Sequence, residues 1–297
     1  MKLVSFEIDN DVRLGLFLEE RIVDLNKAYT RLVDEDFPSG MISLLERGEA
    51  GLRKARIVEE AFRKQREPIP GIVFGTKEVK ILAPIPRTRK NIICLGLNYA
   101  DHAIETNTPL PSNPIFFTKP STSIIGPEEA IILPKCSREI DYEVELAFVF
   151  GKSGKDISEE EAYNYIAGYT ILIDVTARDL QMRHSQWFKG KSLDTFAPMG
   201  PFLVTKDEVP DPHNLEIMMK INGNIMQQSN TRNMIFKIPT LVKTISMDMT
   251  VEPGDIVATG TPAGVGFTRK PPIFLKPGDV VEASVEGVGI LRNKVTL

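Results

Sequence analysis

Residues 139–150, EIDYEVELAFVF, place acidic side chains inside what otherwise reads as a buried β-strand. Side chains alternate across a strand, so residues two apart share a face. Tyr142, Val144, Leu146 and Phe148 then line one face, and Asp141, Glu143 and Glu145 the other. Neighbouring carboxylates repel, and burying them unpaired is costly. Such a segment has two solutions: an acidic edge turned to solvent, or something positive between the acids. A hard divalent cation held by oxygen ligands fits the second.

The rest of the chain supports a folded enzyme-sized body. Its 297 residues can bury a substantial core as one large domain or two unequal ones. A formal charge of −4 gives no reason to expect nucleic acid or an anionic membrane as a partner. No apolar run reaches the roughly 18 residues of a membrane span, and the first residues lack a signal-peptide apolar core. Two cysteines, Cys94 and Cys136, offer neither a disulfide framework nor zinc spacing, which suits a reducing, cytoplasmic setting.

Strand-like alternation near Lys2–Ile8 and Arg13–Leu18 precedes a helical stretch from about Met41 to Lys64, which Gly48 and Gly51 are expected to split. The proline-rich segment PIPGIVFGTKEVKILAPIPRTRK carries the expected boundary between domains 1–78 and 79–297. Beyond it, NIICLGLNY, NPIFFTK, SIIGPEEAIIL, DYEVELAFVF and GYTILIDVTARD all read as strands. Ser158 opens a capping-box pattern with Glu161, predicting a helix to about Ile166. Asn222-Gly223 predicts a tight hairpin, IPTLVKTISMD a helix, and GDIVATGT and GDVVEASVEGVGIL late strands. Many short strands with few helices predict an α+β protein with an antiparallel or mixed β-roll core.

Chemistry-bearing residues cluster in a few segments. Asp174 ends the apolar run YTILID and, with Glu143 and Glu145, would make an oxygen-rich site suited to Mg²⁺, with Mn²⁺ or Ca²⁺ as substitutes; a strand-terminal Asp also suits a turn. His102 precedes Glu105 by three residues, one helical face apart, so the carboxylate could polarise the imidazole for general-base work; the same spacing is common on exposed helices. His213 reads as a surface residue, and His184 is ambiguous. Lys119, after IFFT, and Lys191, in WFKGKS, could be covered lysines that stabilise an enolate, or solvated ones. Arg178 and Gln181 could clamp a substrate carboxylate. TGTPAGVGF, which includes Thr261, lets backbone approach a ligand but has neither dinucleotide nor P-loop spacing.

In their order along residues 80 to 297, GLNYADH, FFTKPS, IDYEVELAFVFGK, GYTILIDVTARDLQ, GKSLDTFAPMGP, NGNIMQQSNT and GDIVATGTPAGVG resemble the signature blocks of the fumarylacetoacetate hydrolase superfamily. ARDLQMR, QWFKGKSLDTFAPMGP and RKPPIFLKPGD are most similar to its domain-containing protein 2 subgroup. The resemblance implies a mixed β-roll catalytic domain behind a small N-terminal α+β domain, assembled as a homodimer. It implies Mg²⁺ on Glu143, Glu145 and Asp174, a water-activating dyad of His102 and Glu105, and Lys191 as the enolate-stabilising lysine. Lys119, Arg178, Gln181 and Thr261 match positions lining the substrate site. The implied activity is hydrolysis of a C–C bond in a small 2-oxo acid of the acylpyruvate type. The same metal site would equally serve oxaloacetate keto–enol tautomerisation, isomerisation or decarboxylation. A non-catalytic metal-binding scaffold is the remaining alternative.

Overall fold

A computed structural model describes residues 1–65 and 69–297; Pro68, the first residue of the proline-rich segment, lies outside them. Among the described residues, most strands join one mixed sheet. Its order runs Val73–Gly75, Arg21–Asp24, Asp11–Leu18, Lys2–Ile8, Ala197–Thr205, Ile166–Ile173, Val144–Phe150, Ile256–Ala258, Ile92–Gly96 and Ile115–Lys119. A second sheet stacks Asn224–Asn230, Glu216–Ile221, Val280–Val285, Gly289–Thr296 and Ala130–Ile132. The protein is α+β with a mixed β core, as the pattern of short strands predicts.

The N-terminal residues extend this sheet. Lys2 and Leu3 pair antiparallel with Val204 and Leu203. The helices Leu25–Val33, Met41–Glu46 and Gly48–Lys64 pack over the same side as Ala147, Val149, Leu172 and Leu203, in one apolar cluster. The predicted helical break falls at Gly48, which takes a positive φ of 54°. Gly51 does not break the chain; it lies inside Gly48–Lys64, pressed against Leu44.

Two other local expectations need correction. DYEVELAFVF is not one strand: Ile140–Asp141 pairs with Thr176–Ala177 as a separate ribbon, and Val144–Phe150 begins after the chain passes Tyr142 and Glu143. The break lets Asp141 turn towards Arg178 and the 266–267 backbone. The helix after Ser158 shrinks to Ala162–Tyr165, because Ile166 is already the first residue of a fully buried strand. The Asn222-Gly223 hairpin forms as read, with φ of 51° and 81° at its centre.

Alternation along Val144–Phe150 separates two cores. Val144, Leu146, Phe148 and Phe150 join one cluster, and Ala147 and Val149 the other. The strand is buried on both faces, so Glu145 cannot reach solvent. Close packing in its neighbour Ile166–Ile173 is equally strict. A Cβ at Gly168 would lie 2.1 Å from the Val204 carbonyl oxygen, which a paired backbone cannot yield without breaking register. Gly168→Ala should therefore cost about 1–3 kcal/mol by overpacking. Thermal unfolding would read this as a lowered Tm, and an unchanged Tm would show that the two strands can separate freely.

Candidate metal centre and active site

Register builds the site. In the antiparallel pair, Val144 stands opposite Ile173, so the chain leaving one strand and entering the other brings Glu143 beside Asp174. The Asp174 amide donates to the Glu143 carbonyl at 2.8 Å. Carboxylate oxygens of Glu143, Glu145 and Asp174 lie within 4.8 Å of one another, all buried. Sequence spacing alone left open whether Asp174 met the glutamates; the strand pairing does it.

Three buried cations surround these acids. Lys119, from the edge strand, donates to Asp174 and to the Val175 carbonyl. Lys191 bridges Glu143 at 2.8 Å and Asp174 at 2.7 Å. Arg178 donates from Nε to Asp141 at 2.9 Å and from Nη2 to Glu143. Counting Asp141, four carboxylates face three cations. The uncompensated charge falls on Glu145. Its Oε2 accepts the Gly260 amide at 2.7 Å, while its Oε1 is buried and has no hydrogen-bond partner. Burial, then repulsion from Asp174 and Glu143, pushes the Glu145 carboxyl well above the ordinary range. Glu143 responds oppositely: burial opposes its charge, but Lys191 and Arg178 prevail and hold it below that range.

An orphaned carboxylate oxygen beside two further buried carboxylates is a cation site by composition. All donors are hard oxygens, so the set fits a divalent ion such as Mg²⁺ or Mn²⁺ and lacks the His and Cys that favour zinc.

A cavity of about 300 Å³ opens onto this cluster. His102, Glu143, Arg178, Gln181, Lys191 and Thr261 all line it. His102 sits on the short helix Ala100–Glu105, and its Nδ1 is 3.2 Å from Glu105 Oε2. The other oxygen of Glu105 accepts the Gly264 amide at 3.0 Å and the Thr268 hydroxyl at 2.9 Å. Burial works against the Glu105 charge, yet these three donors outweigh it and hold the carboxyl below its usual range. An ionised Glu105 places the imidazole proton on Nδ1 and leaves Nε2 as an acceptor. The His102 backbone amide is held by Asp101, whose other oxygen accepts from Ser229.

The remaining expected site residues are placed as follows. Gln181 accepts from Arg178 Nη1 through its side-chain oxygen, so its amide N–H groups are the ones left for a ligand. Arg178 spends three of its five N–H donors on Asp141, Glu143 and Gln181. Thr261 donates to the Val144 carbonyl and accepts from Gln227, so its hydroxyl has no proton to offer. Lys119 is buried behind Asp174 and is not among the cavity-lining residues. His184 is exposed. His213 is not simply a surface residue, because its Nε2 accepts the Ile238 amide at 3.0 Å and secures the start of the helix Ile238–Ser246.

Some supporting residues carry little local signal. Asp141 accepts from Arg178, Gly266 and Phe267, tying the glycine-rich loop to the acidic cluster. Asn98 donates to the Phe236 and Thr259 carbonyls. Gln227 accepts the Val144 amide and donates to Thr261 and the Pro262 carbonyl. Asp141 was visible in the acidic run; Asn98 and Gln227 sit in ordinary polar contexts and gain meaning only from tertiary contact.

Residues 91–296 match the family described as fumarylacetoacetate (FAA) hydrolase C-terminal. The chain is 48% identical over 300 residues to a mitochondrial oxaloacetate tautomerase of Rattus norvegicus, covering 99% of this chain and 91% of that protein. It is 42% identical to the oxaloacetate tautomerase YisK of Bacillus subtilis, covering 99% and 100%. The fold superposes on a fumarylacetoacetate hydrolase from psychrophilic Exiguobacterium antarcticum with a TM-score of 0.82 at 37% identity, covering 100% and 99%. A maleylpyruvate hydrolase from Sphingobium sp. SYK-6, solved with manganese(II) and pyruvate, gives 0.79 at 32% identity with the same coverage.

The charge imbalance sets a pH dependence. The raised Glu145 value means the native state keeps a proton that the unfolded chain has released. The Glu145 contribution to stability is therefore full below the ordinary glutamate value of about 4.5 and is lost as pH rises through the higher folded value. Calorimetry on metal-free protein should show Tm declining with pH above that point, and a saturating divalent cation should remove the decline. In Glu145→Gln the slope should flatten; an unchanged slope would place the titration on another group.

Proposed function

The chain belongs to the fumarylacetoacetate hydrolase family, and from that membership we propose that it is a Mg²⁺-dependent tautomerase interconverting the enol and keto forms of oxaloacetate. At the coarser level it is a metal-dependent enzyme of the hydrolase or tautomerase/isomerase type. One observation carries the finer reading: a proton-moving His–Glu dyad and a buried lysine face each other across one cavity over the acidic triad, in a chain 48% identical to an oxaloacetate tautomerase.

In this reading Glu143, Glu145 and Asp174 hold the ion, which supplies Lewis-acid polarisation of the 2-oxo group. The protein's own residues then move the proton. His102 Nε2 would accept the enol hydroxyl proton to leave an enolate, and the imidazolium would then return that proton to C3 as the C2–C3 π pair becomes the C3–H bond and the C2–O double bond forms. Glu105 steadies the imidazolium between these events. Lys191 is suited to donate to the oxygen and not to act as base. Burial opposes its charge, but Asp174 and Glu143 prevail and raise its value above that of a free lysine. Gln181 and the free donors of Arg178 orient the carboxylate. Lys119 neutralises Asp174 from behind. The division at residues 78 and 79 belongs to the same proposal, with the chemistry assigned to residues 79–297.

Hydrolysis of an acylpyruvate is the second reading, favoured by the likeness to the maleylpyruvate hydrolase. There the same dyad would deprotonate water instead of an enol. Metal-stripped protein, with and without added Mg²⁺, separates the two on enol-oxaloacetate and acetylpyruvate. Mg²⁺-dependent loss of enol absorbance with oxaloacetate fully recovered is expected; release of pyruvate and acetate from acetylpyruvate would replace the tautomerase with a hydrolase. His102→Ala should lower kcat by about 100-fold or more with cation binding intact, as calorimetry would read. Parallel loss of cation binding would instead mean that the site had collapsed.

A further inference from the structure

Lys191 lies at the end of Phe188–Lys191, a helix of only four residues. One turn has too few hydrogen bonds to hold itself in water, so its direction must come from elsewhere. At its C-terminal end the Lys191 ion pairs supply an anchor. At its N-terminal end stands Trp187, the single tryptophan of the chain. Its carbonyl accepts the Lys191 amide at 3.2 Å. Its ring lies against Gly96 so closely that a Cβ there would sit 2.1 Å from Cζ3. The same ring meets Phe117 edge-on with centroids 5.7 Å apart, and the Lys191 ammonium lies 5.0 Å from the Phe117 centroid. Gly96, Phe117, Trp187 and Lys191 all border the cavity.

We propose that Trp187 is the positioning residue for Lys191: wedged between Gly96 and Phe117, it fixes the turn that aims the ammonium into the cavity and forms the wall that keeps water from it. Gly96 is required because its missing side chain is the space the indole fills. Phe117 completes the wall with a ring face that favours a cation. The catalytic consequence rests on the proposed role of Lys191 as donor to the substrate oxygen; the positioning itself does not.

The test therefore has two readouts. In metal-free protein, an amine-reactive reagent with peptide mapping measures the exposure of Lys191. Trp187→Ala and Gly96→Ala should label Lys191 about 10-fold faster or more than the parent, whereas Trp187→Phe should stay close to it. Phe188→Ala, on the exposed side of the same turn, serves as control and should change nothing. Gly96→Ala displaces the ring without deleting it, so the proposal stays exposed even where Trp187→Ala fails to fold. Equal protection of Lys191 in Trp187→Ala and Gly96→Ala overturns the proposal. With Mg²⁺ and oxaloacetate, kcat should fall by about 100-fold, as ångström-scale misplacement does, while KM moves little. A change in KM alone would make Trp187 a binding wall and overturn the positioning role. Absence of tautomerisation in the parent, with the labelling pattern intact, would sink the proposed function and leave the positioning of Lys191 standing.

Discussion

The fold is organised around buried charge that does not cancel. Asp141, Glu143, Glu145 and Asp174 lie under the sheet surface with Lys119, Arg178 and Lys191, and every cation touches at least one acid. Removing a partner from such a cluster leaves a charge that neither water nor protein solvates, a loss usually larger than the bond itself was worth. The elements around it are correspondingly constrained. The break at Tyr142–Glu143, the register of Val144 against Ile173 and the positive φ of 94° at Gly260 each serve to bring a polar group to one of the acids. The residual negative charge is concentrated where one oxygen has no partner. A proton on Glu145 cancels that charge, and a dication in its place would leave the cluster positive enough to attract an anionic ligand.

How much of this was legible in the sequence differs by interaction range. Glu143 and Glu145 share a face by strand parity, and His102 and Glu105 by helical spacing, so both pairs could be read locally. The Asn222-Gly223 turn was equally local. Asp174 was identified as a candidate, but its meeting with Glu143 depends on a strand register that no single segment encodes. The single long strand expected over residues 141–150 failed for a related reason: propensity favours continuity, and only the tertiary demand of Asp141 for Arg178 and two backbone amides bends the chain. His213 was misjudged because a Pro/Asp-rich loop usually faces water, whereas here the ring covers the start of a helix. Asn98 and Gln227 carry no local mark at all. Their work is to satisfy backbone groups 35 to 161 residues away.

The site divides into a rigid half and a lighter half. The metal-ligating candidates project from the ends of central strands packed on both faces. The His102–Glu105 pair rides on a six-residue helix whose own Ile104 is 78% exposed, held by Glu105 to Gly264 and Thr268 and by Asp101 to Ser229. Short helices with one buried face are the low-stability end of a fold.

That division bears on how one architecture serves hydrolysis and tautomerisation. On the proposed function, polarising a 2-oxo acid would need the acids at the ends of the central strands, the ion they would hold, and Lys191 held against Glu143 and Asp174. What happens next depends on whether the imidazole faces a water or the substrate's own hydroxyl. On the proposed function that choice would lie with the short helix Ala100–Glu105, which stands outside the sheet. On the proposed function, the reaction type would then be set by residues 100–108 and the contacts of Glu105 to Gly264 and Thr268, separately from the carboxylate cluster.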